Sequence, residues 1–287
     1  MSIEYNNINL TTEPDINLFI DGRSTPAIAG GYFDRLDPST DLVASRAACG
    51  RREDAEHMAS VAAANFHKWS TTDVTERARI LRHAKALMPK YRDRFAQLML
   101  KEIGAIHEWV DFNIKVAAEA IEAAVELALR YPFVPSKIDA LDSYTVRQPV
   151  GVCLAIAPWN APIVLAMRAV VFPLAFGNCV ILKASELSPA THSLIAELLH
   201  EAGVPNGVIS VMTNAPEHSE EVIASLIANP SVRRVNFPGS TRIGKIIAGL
   251  AAQHLERRQP TISRKRSRLW RFFKSGPNLY GDRSNYC

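Results

Sequence analysis

The chain has 287 residues, 47% of them hydrophobic and 22% charged, with a formal net charge of +4. No apolar run reaches the roughly eighteen residues that span a bilayer. The opening MSIEYNNINLTTEPD has neither the basic nor the apolar segment of a secretory signal, so the reading is a cytoplasmic globular protein of one large or two modest domains, with no membrane partner.

The charge is unevenly spread. Residues 256–287 hold nine Lys/Arg against two acids, and the rest of the chain holds 24 basic residues against 27 acidic ones. The basic balance therefore belongs to about a ninth of the chain, which makes overall charge a poor argument for nucleic-acid binding. Cys49, Cys153, Cys179 and Cys287 are scattered, with no CxxC pair and no metal-ligand spacing. Reduced thiols and no metal are the expectation.

In chain order, LFIDGR at 18–23 reads as a short strand entering a turn, and FDRLDPSTDLVASRAA as alternating strand text around Asp37-Pro38-Ser39. Together they predict an N-terminal β-ribbon. Apolar residues then recur at helical steps. Ala55, Met58, Ala62, Phe66 and Trp69 mark a first helix, Ile80, Leu81, Ala84 and Leu87 a second that opens near Thr75, and an Ala-rich stretch from about 108 to 129 a third. Residues 52–130 are thus a helical layer.

From Tyr144 the texture changes. TVRQPVGVCLAIAP, NCVILKAS, VISVMT and VRRVNF read as short buried strands. Between and after them lie helical segments, including SPATHSLIAELLHEAG with Ser188 as N-cap and Pro189 at the first position. Strands of five or six residues alternating with longer helices predict a doubly wound α/β domain with a parallel sheet buried on both faces.

Ligands of such sheets bind beyond the carboxyl ends of the strands. Three predicted strand ends carry suitable residues, each with a plainer alternative. In Ile156-Ala157-Pro158-Trp159-Asn160, the indole and the amide face a ligand, or Trp159 is a packed aromatic and Asn160 a helix cap. In Lys183-Ala184-Ser185-Glu186, the lysine and the carboxylate suit ribose hydroxyls, or the segment is a solvated loop. In Phe237-Pro238-Gly239-Ser240-Thr241-Arg242-Ile243-Gly244, Gly239 permits a tight turn and Ser240 caps a helix whose N-terminus suits a pyrophosphate, though one glycine turn is weak evidence.

The segments APWN, KASE and FPGSTRIG, in this order and spacing, resemble the PWN, KPSE and FTGST motifs of the aldehyde dehydrogenase superfamily, over about 18–255. The RQPVG, AMRAVVFPLAFGN and SPATHSLIAELLHEAGVPNGV segments are most similar to the salicylaldehyde and vanillin dehydrogenase branch. The resemblance implies NAD-dependent oxidation of an aromatic aldehyde. It makes Asn160 a donor of the oxyanion hole, Lys183 and Glu186 the ribose pair, with Glu186 favouring NAD over NADP, and Ser185 a cofactor-binding residue of their loop. Ile156, Ala157, Pro158 and Trp159 would line the nucleotide, Gly239 and Ser240 its pyrophosphate, Gly207 would be a glycine of the nucleotide site, and Arg168 would lie near the substrate or be a surface residue of its helix. Pro238 and Ala184 depart from the family's Thr and Pro.

The family continues with an ELGGK strand, whose Glu is the general base, and later with a cysteine nucleophile. From residue 256 this sequence reads ERRQPTISRKRSRLWRFFKSGPNLYGDRSNYC instead. The expectation is therefore two parts: 1–255, an NAD-binding region without the catalytic domain, and 256–287, an out-of-frame or disordered basic tail. Such a chain would be inactive alone. The alternatives are a catalytically silent NAD-binding fragment and, as a minor reading, nucleic-acid binding through the tail. Segment 138–150 resembles part of the family's oligomerisation arm, but the strand it would join is not in this sequence, so the family's homo-oligomer is not expected to form.

Overall fold

The computed structural model describes residues 15–131, 136–138, 143–145 and 147–255, with backbone alone for 136–138, 143–145 and 255. The readings made on the first residues, on the basic tail and on parts of the arm segment lie outside the described residues.

Strands β1 (Leu18–Ile20) and β2 (Arg23–Thr25) form a hairpin. Its two-residue turn, Asp21-Gly22, has positive φ at both positions (52° and 75°). That is the turn whose twist matches a hairpin, and Asp-Gly is suited to it. Strands β3 (Tyr32–Leu36) and β4 (Val43–Ala48) form a second hairpin, in which Asp37 Oδ1 accepts the Ser39 N–H at 2.7 Å inside the connecting turn. The helical layer follows as α1 (Arg52–Thr71), α2 (Val74–Ile103) and α3 (His107–Arg130). Helix α2 opens one step earlier than Thr75 implies, because Asp73 is the cap and accepts the Thr75 N–H at 2.8 Å. Gly104 closes it in the left-handed conformation, φ 67°, its N–H bonded to Leu100 O. A short hairpin, β5 (Ser136–Ile138) and β6 (Ser143–Thr145), leads into the α/β part.

That part runs β7 (Val152–Ile156), α4 (Pro162–Ala175), β8 (Cys179–Lys183), α5 (Pro189–Glu201), β9 (Ile209–Met212), a 3-10 turn at Pro216–His218, α6 (Ser219–Ala228), β10 (Val232–Asn236) and α7 (Thr241–Leu255). The main sheet has the order β10-β7-β8-β9-β1-β2. Its first four strands are parallel, and every residue of β7, β8 and β9 is buried. The sheet is mixed, because β1 pairs antiparallel with β9. The first hairpin thus covers an edge that would otherwise present unpaired backbone. Helices α4 and α5 pack on one face, with α2 and α3 outside them, while α1 and α6 pack on the other. The order reverses beside β7, where the chain returns from β9 to place β10 on β7's other side. This is the switch point of a doubly wound sheet.

Side chains of the helical layer terminate the helices of the α/β part. Trp69 Nε1 donates to Leu174 O at 3.2 Å and Arg77 Nε to Ala175 O at 3.0 Å, so both satisfy carbonyls at the end of α4. Glu102, fully buried, does the complementary task at the start of α5. It accepts the Ala190 and Thr191 N–H groups at 2.8 and 3.0 Å, the Thr191 hydroxyl at 2.7 Å and the Ser45 hydroxyl at 2.7 Å. Ser188 stands at the N-cap position, as its sequence context predicts, but its hydroxyl makes no capping bond. A carboxylate 86 positions earlier occupies that role, helped by the favourable field of the helix terminus. Burial pushes the Glu102 carboxyl above its ordinary range, and the four donors offset only part of that.

Replacing Glu102 with Ala should cost roughly 3 kcal/mol or more, because it strands two buried N–H groups and opens a cavity. Urea unfolding of the wild type and of Glu102→Ala is the check, and a variant with an unshifted midpoint contradicts the capping role.

Candidate functional site

The carboxyl ends of four parallel strands meet at one rim. Ile156 and Lys183 are partners in the β7–β8 ladder, Lys183 and Met212 in the β8–β9 ladder, and Ala155 and Asn236 in the β7–β10 ladder. The first three residues of the rim sequence are graded in exposure: Ile156 and Ala157 are buried and Pro158 is half-buried. Trp159 is 48% exposed, which rules out the packed-aromatic alternative, and Asn160 is exposed as well. Asn160 is not the cap of α4, since that position is Ala161. Its side-chain amide makes no hydrogen bond among the described residues, while its backbone oxygen accepts Trp109 Nε1–H at 3.1 Å. Trp109 stacks on Phe112 with ring centroids 5.1 Å apart and planes 10° from parallel. An exposed aromatic pair therefore stands beside Asn160. The helical periodicity of 108–129 hides it, because α3 presents both residues on its solvent side.

At the tip of β8, Lys183 is buried and ion-pairs with Glu186, which is half-buried. The solvated-loop alternative fails on that burial. Glu186 also accepts the Ser219 hydroxyl and, at 3.4 Å, Asn214 Nδ2–H. Asn214 follows β9 and Ser219 opens α6. Neither was singled out from the sequence, although the strand-end rule applied to VISVMTN points at Asn214. Burial pushes Lys183 below the ordinary lysine range, opposed by the attraction of Glu186. For Glu186 burial acts upward, and Lys183 and Ser219 more than reverse it, leaving the carboxyl below its ordinary range and ionised at neutral pH.

Ser185 is fixed from behind. Its N–H donates to His192 Nδ1 at 3.0 Å, and its hydroxyl oxygen accepts the Leu187 N–H at 3.2 Å. Arg35 of β3 donates to Glu102 O at 2.8 Å and to Leu187 O at 3.1 Å, holding the far end of the same loop. His192 is completely buried, and burial first and Lys183 second hold its pKa down to about 3. It is therefore a neutral imidazole with Nδ1 as acceptor.

At the tip of β10, Ser240 precedes α7, and its hydroxyl accepts the Ile243 N–H at 3.4 Å. Gly239 is needed for a different reason from the tight turn anticipated. Its φ is not positive, but a Cβ there would sit 2.1 Å from the Phe237 ring. Two predicted residues stand apart from Asn160 and the Lys183–Glu186 pair. Gly207 precedes β9, and Val208 O accepts the Val180 N–H near the start of β8. It lies at the amino end of the sheet, where its positive φ of 73° and the Asn65 side chain, 2.1 Å from an added Cβ, demand glycine. Arg168, exposed on α4, lines a cleft of about 710 Å³ together with Arg147, Arg234, Phe172 and Phe176, and neither Trp159 nor Asn160 borders it. Cys153 borders the cleft, and burial raises its pKa to about 11 and that of Cys179 to about 12, so both are inert thiols of the sheet.

A sheet with this switch point and these strand tips defines a doubly wound nucleotide-binding fold. The aldehyde dehydrogenase family model matches residues 27–262. A vanillin dehydrogenase of Pseudomonas fluorescens is 42% identical over 245 residues, 84% of this chain and 50% of that protein. A crystal structure of a salicylaldehyde dehydrogenase from Pseudomonas putida G7, complexed with salicylaldehyde, superposes with a TM-score of 0.80 at 38% identity, covering 84% of this chain and 50% of that one. A Pseudomonas syringae aldehyde dehydrogenase complexed with NAD+ and octanal gives 0.79 at 29% identity, covering 85% and 50%. This chain belongs to the aldehyde dehydrogenase family, and it spans about half the length of the curated relatives it matches. Among the described residues, no helix is long and apolar enough to cross a membrane.

The neutral His192 makes stability depend on pH. Its folded value of about 3 lies below the 6.5 of the unfolded chain, so the unfolded state takes up the proton first as pH falls. The contribution is complete above pH 6.5 and is lost on the way down, by at most about 1.4 kcal/mol per pH unit. His192→Gln keeps an acceptor for Ser185 and cannot titrate. The gap between wild-type and variant urea midpoints should therefore narrow from pH 7 to pH 5, and a gap that stays constant contradicts the neutral assignment.

Proposed function

We propose that this chain supplies the nucleotide-binding part of an NAD-dependent dehydrogenase acting on aromatic aldehydes. The observation that carries the reading is the meeting, at the switch point, of the tips of β7, β8 and β10 with an unpaired amide, an ionised lysine–glutamate pair and a capped helix start. The residues fit such a cofactor. Every side-chain hydrogen bond to Glu186 goes to Oε1, so Oε2 remains for a ribose hydroxyl. The start of α7 offers N–H groups to a pyrophosphate. A carboxylate at 186 repels a 2′-phosphate, which favours NAD over NADP.

When bound, NAD would supply the acceptor for the hydride that leaves the former aldehyde carbon after a nucleophile, which the described residues do not provide, has added to it. The residues of this chain orient and stabilise. Lys183 and Glu186 hold the ribose, and Ile156, Ala157, Pro158 and Trp159 line the nucleotide. Ser185 keeps the loop in register through His192, and Gly239 and Ser240 present the pyrophosphate turn. Asn160 donates from its side-chain amide to the carbonyl oxygen as negative charge builds there, where a preorganised donor is most effective. Trp109 and Phe112, stacked beside Asn160, offer a flat surface to an aromatic ring. Arg168 and its neighbouring arginines make a cationic, aromatic-sided cleft one helix away, suited to an anionic ring substituent. In this reading the functional unit is 1–255, with 256–287 outside it.

A second reading is favoured by the thiols. Cys153 and Cys179 are buried in the sheet, and burial also raises the pKa of Cys49, so no described thiol stands ready beside Asn160. The chain would then bind nucleotide without oxidising aldehyde. Titration calorimetry tests the shared part. Folded wild type should give heat with NAD, and Lys183→Gln and Glu186→Gln should each weaken binding about tenfold or more. No heat from folded wild type overturns both readings. NADH formation with an aromatic aldehyde separates them: turnover abolished by a thiol-blocking reagent supports the dehydrogenase, and binding without turnover supports the silent module.

A further inference from the structure

We infer that Ser219 and Asn214 are the positioning residues that make Glu186 select a ribose 2′-hydroxyl over a 2′-phosphate, an inference that rests on the nucleotide reading of the rim.

The geometry is asymmetric. Lys183 Nζ and Ser219 Oγ both donate to the same oxygen of Glu186, Oε1, and Asn214 Nδ2 approaches that oxygen at 3.4 Å. The donors form a chain of their own. Asn214 Nδ2–H donates to Ser219 Oγ at 2.9 Å and to Ala215 O at 2.8 Å, and the single Ser219 hydroxyl proton is thereby directed onto the carboxylate. The orientation of the Asn214 amide is settled by charge. Turned over, its oxygen would face the carboxylate and the Ala215 carbonyl with no proton to share, and it could accept from Ser219 only by taking that proton from Glu186. Asn214 is almost fully buried, 1% exposed, and among the described residues its Oδ1 has no partner, so its contacts here run through Nδ2.

One oxygen of Glu186 is therefore anchored, and none of these side-chain bonds uses the other. Oε2 can accept from a hydroxyl on the ribose. A 2′-phosphate in the same place meets a carboxylate that Lys183 and Ser219 hold from rotating away, and it must compete with that carboxylate for Lys183. Without the Ser219 hydroxyl the carboxylate gains room to swing, and Lys183 becomes available to a phosphate. Lys183 and Glu186 alone define a charged pair. Ser219 and Asn214, one turn apart after β9, define which way it points.

A residue that only closed the start of α6 would alter melting and would alter the affinity for both dinucleotides alike. The test is the ratio of the NADP and NAD dissociation constants, measured by calorimetry on the full chain for wild type, Ser219→Ala and Ser219→Thr, each with its melting temperature. Ser219→Ala should lower the ratio about tenfold, the equivalent of one hydrogen bond to a charged group, with Thr restoring it. Ser219→Cys, which keeps the size and loses the strong donor, gives the same readout should alanine unfold the chain. Wild type that binds NAD, with variants whose ratio is unchanged, overturns this inference and leaves the nucleotide reading standing. Folded wild type that binds neither dinucleotide overturns the nucleotide reading and this inference together.

Discussion

The buried carboxylate of Glu102 is the constraint on which the rim depends. It closes the start of α5 with two backbone N–H groups, and through Ser45 and the Arg35 contact to its carbonyl it joins α2 to both strands of the second hairpin. The loop between Lys183 and Pro189 is short and is held at both ends. The β8 ladder fixes it on one side, and the Glu102-capped helix with the Arg35 bond to Leu187 O fixes it on the other. A loop clamped in this way can keep a buried lysine and a carboxylate at contact. Desolvation would otherwise discourage either charge from staying there.

The same arrangement gives the helical layer a purpose beyond covering the sheet. Trp69 and Arg77 complete the end of α4, Glu102 the start of α5, and Trp109 reaches the Asn160 backbone. The bonds at α4 and α5 satisfy backbone groups that helix geometry leaves open, and the Trp109 bond holds the backbone just past the tip of β7. The α/β part thus borrows its helix termini from residues 52–130. Polar groups in the interior are costly unless paired, so the pairing sets the position of the layer as well as its stability.

Much of the architecture was legible because it follows from periodicity. Continuous apolar runs became β7, β8 and β9, three- and four-residue spacing became α1 and α2, and Asp21-Gly22 became a hairpin turn. The site was legible as three strand tips, since the direction of parallel strands places their carboxyl ends together. Gly207 shows the limit of motif reading. It stands among the resembling segments, yet strand direction puts it at the opposite end of the sheet, where Asn65 explains the glycine. Gly239 shows another, because the Phe237 ring and not a left-handed turn excludes a side chain there.

The linear order of residues determined the element types, the family and the candidates Asn160, Lys183 and Glu186, because those depend on local spacing and on motifs a few residues long. Only the tertiary structure decided that the sheet is mixed, that Glu102 and not the Ser188 hydroxyl caps α5, that Trp109 stands beside Asn160, and that Ser219 and Asn214 grip a single oxygen of Glu186. These are contacts between residues separated by tens of positions. Their partners are chosen by which buried donors and acceptors must be satisfied once the layers close, and no local pattern records that choice.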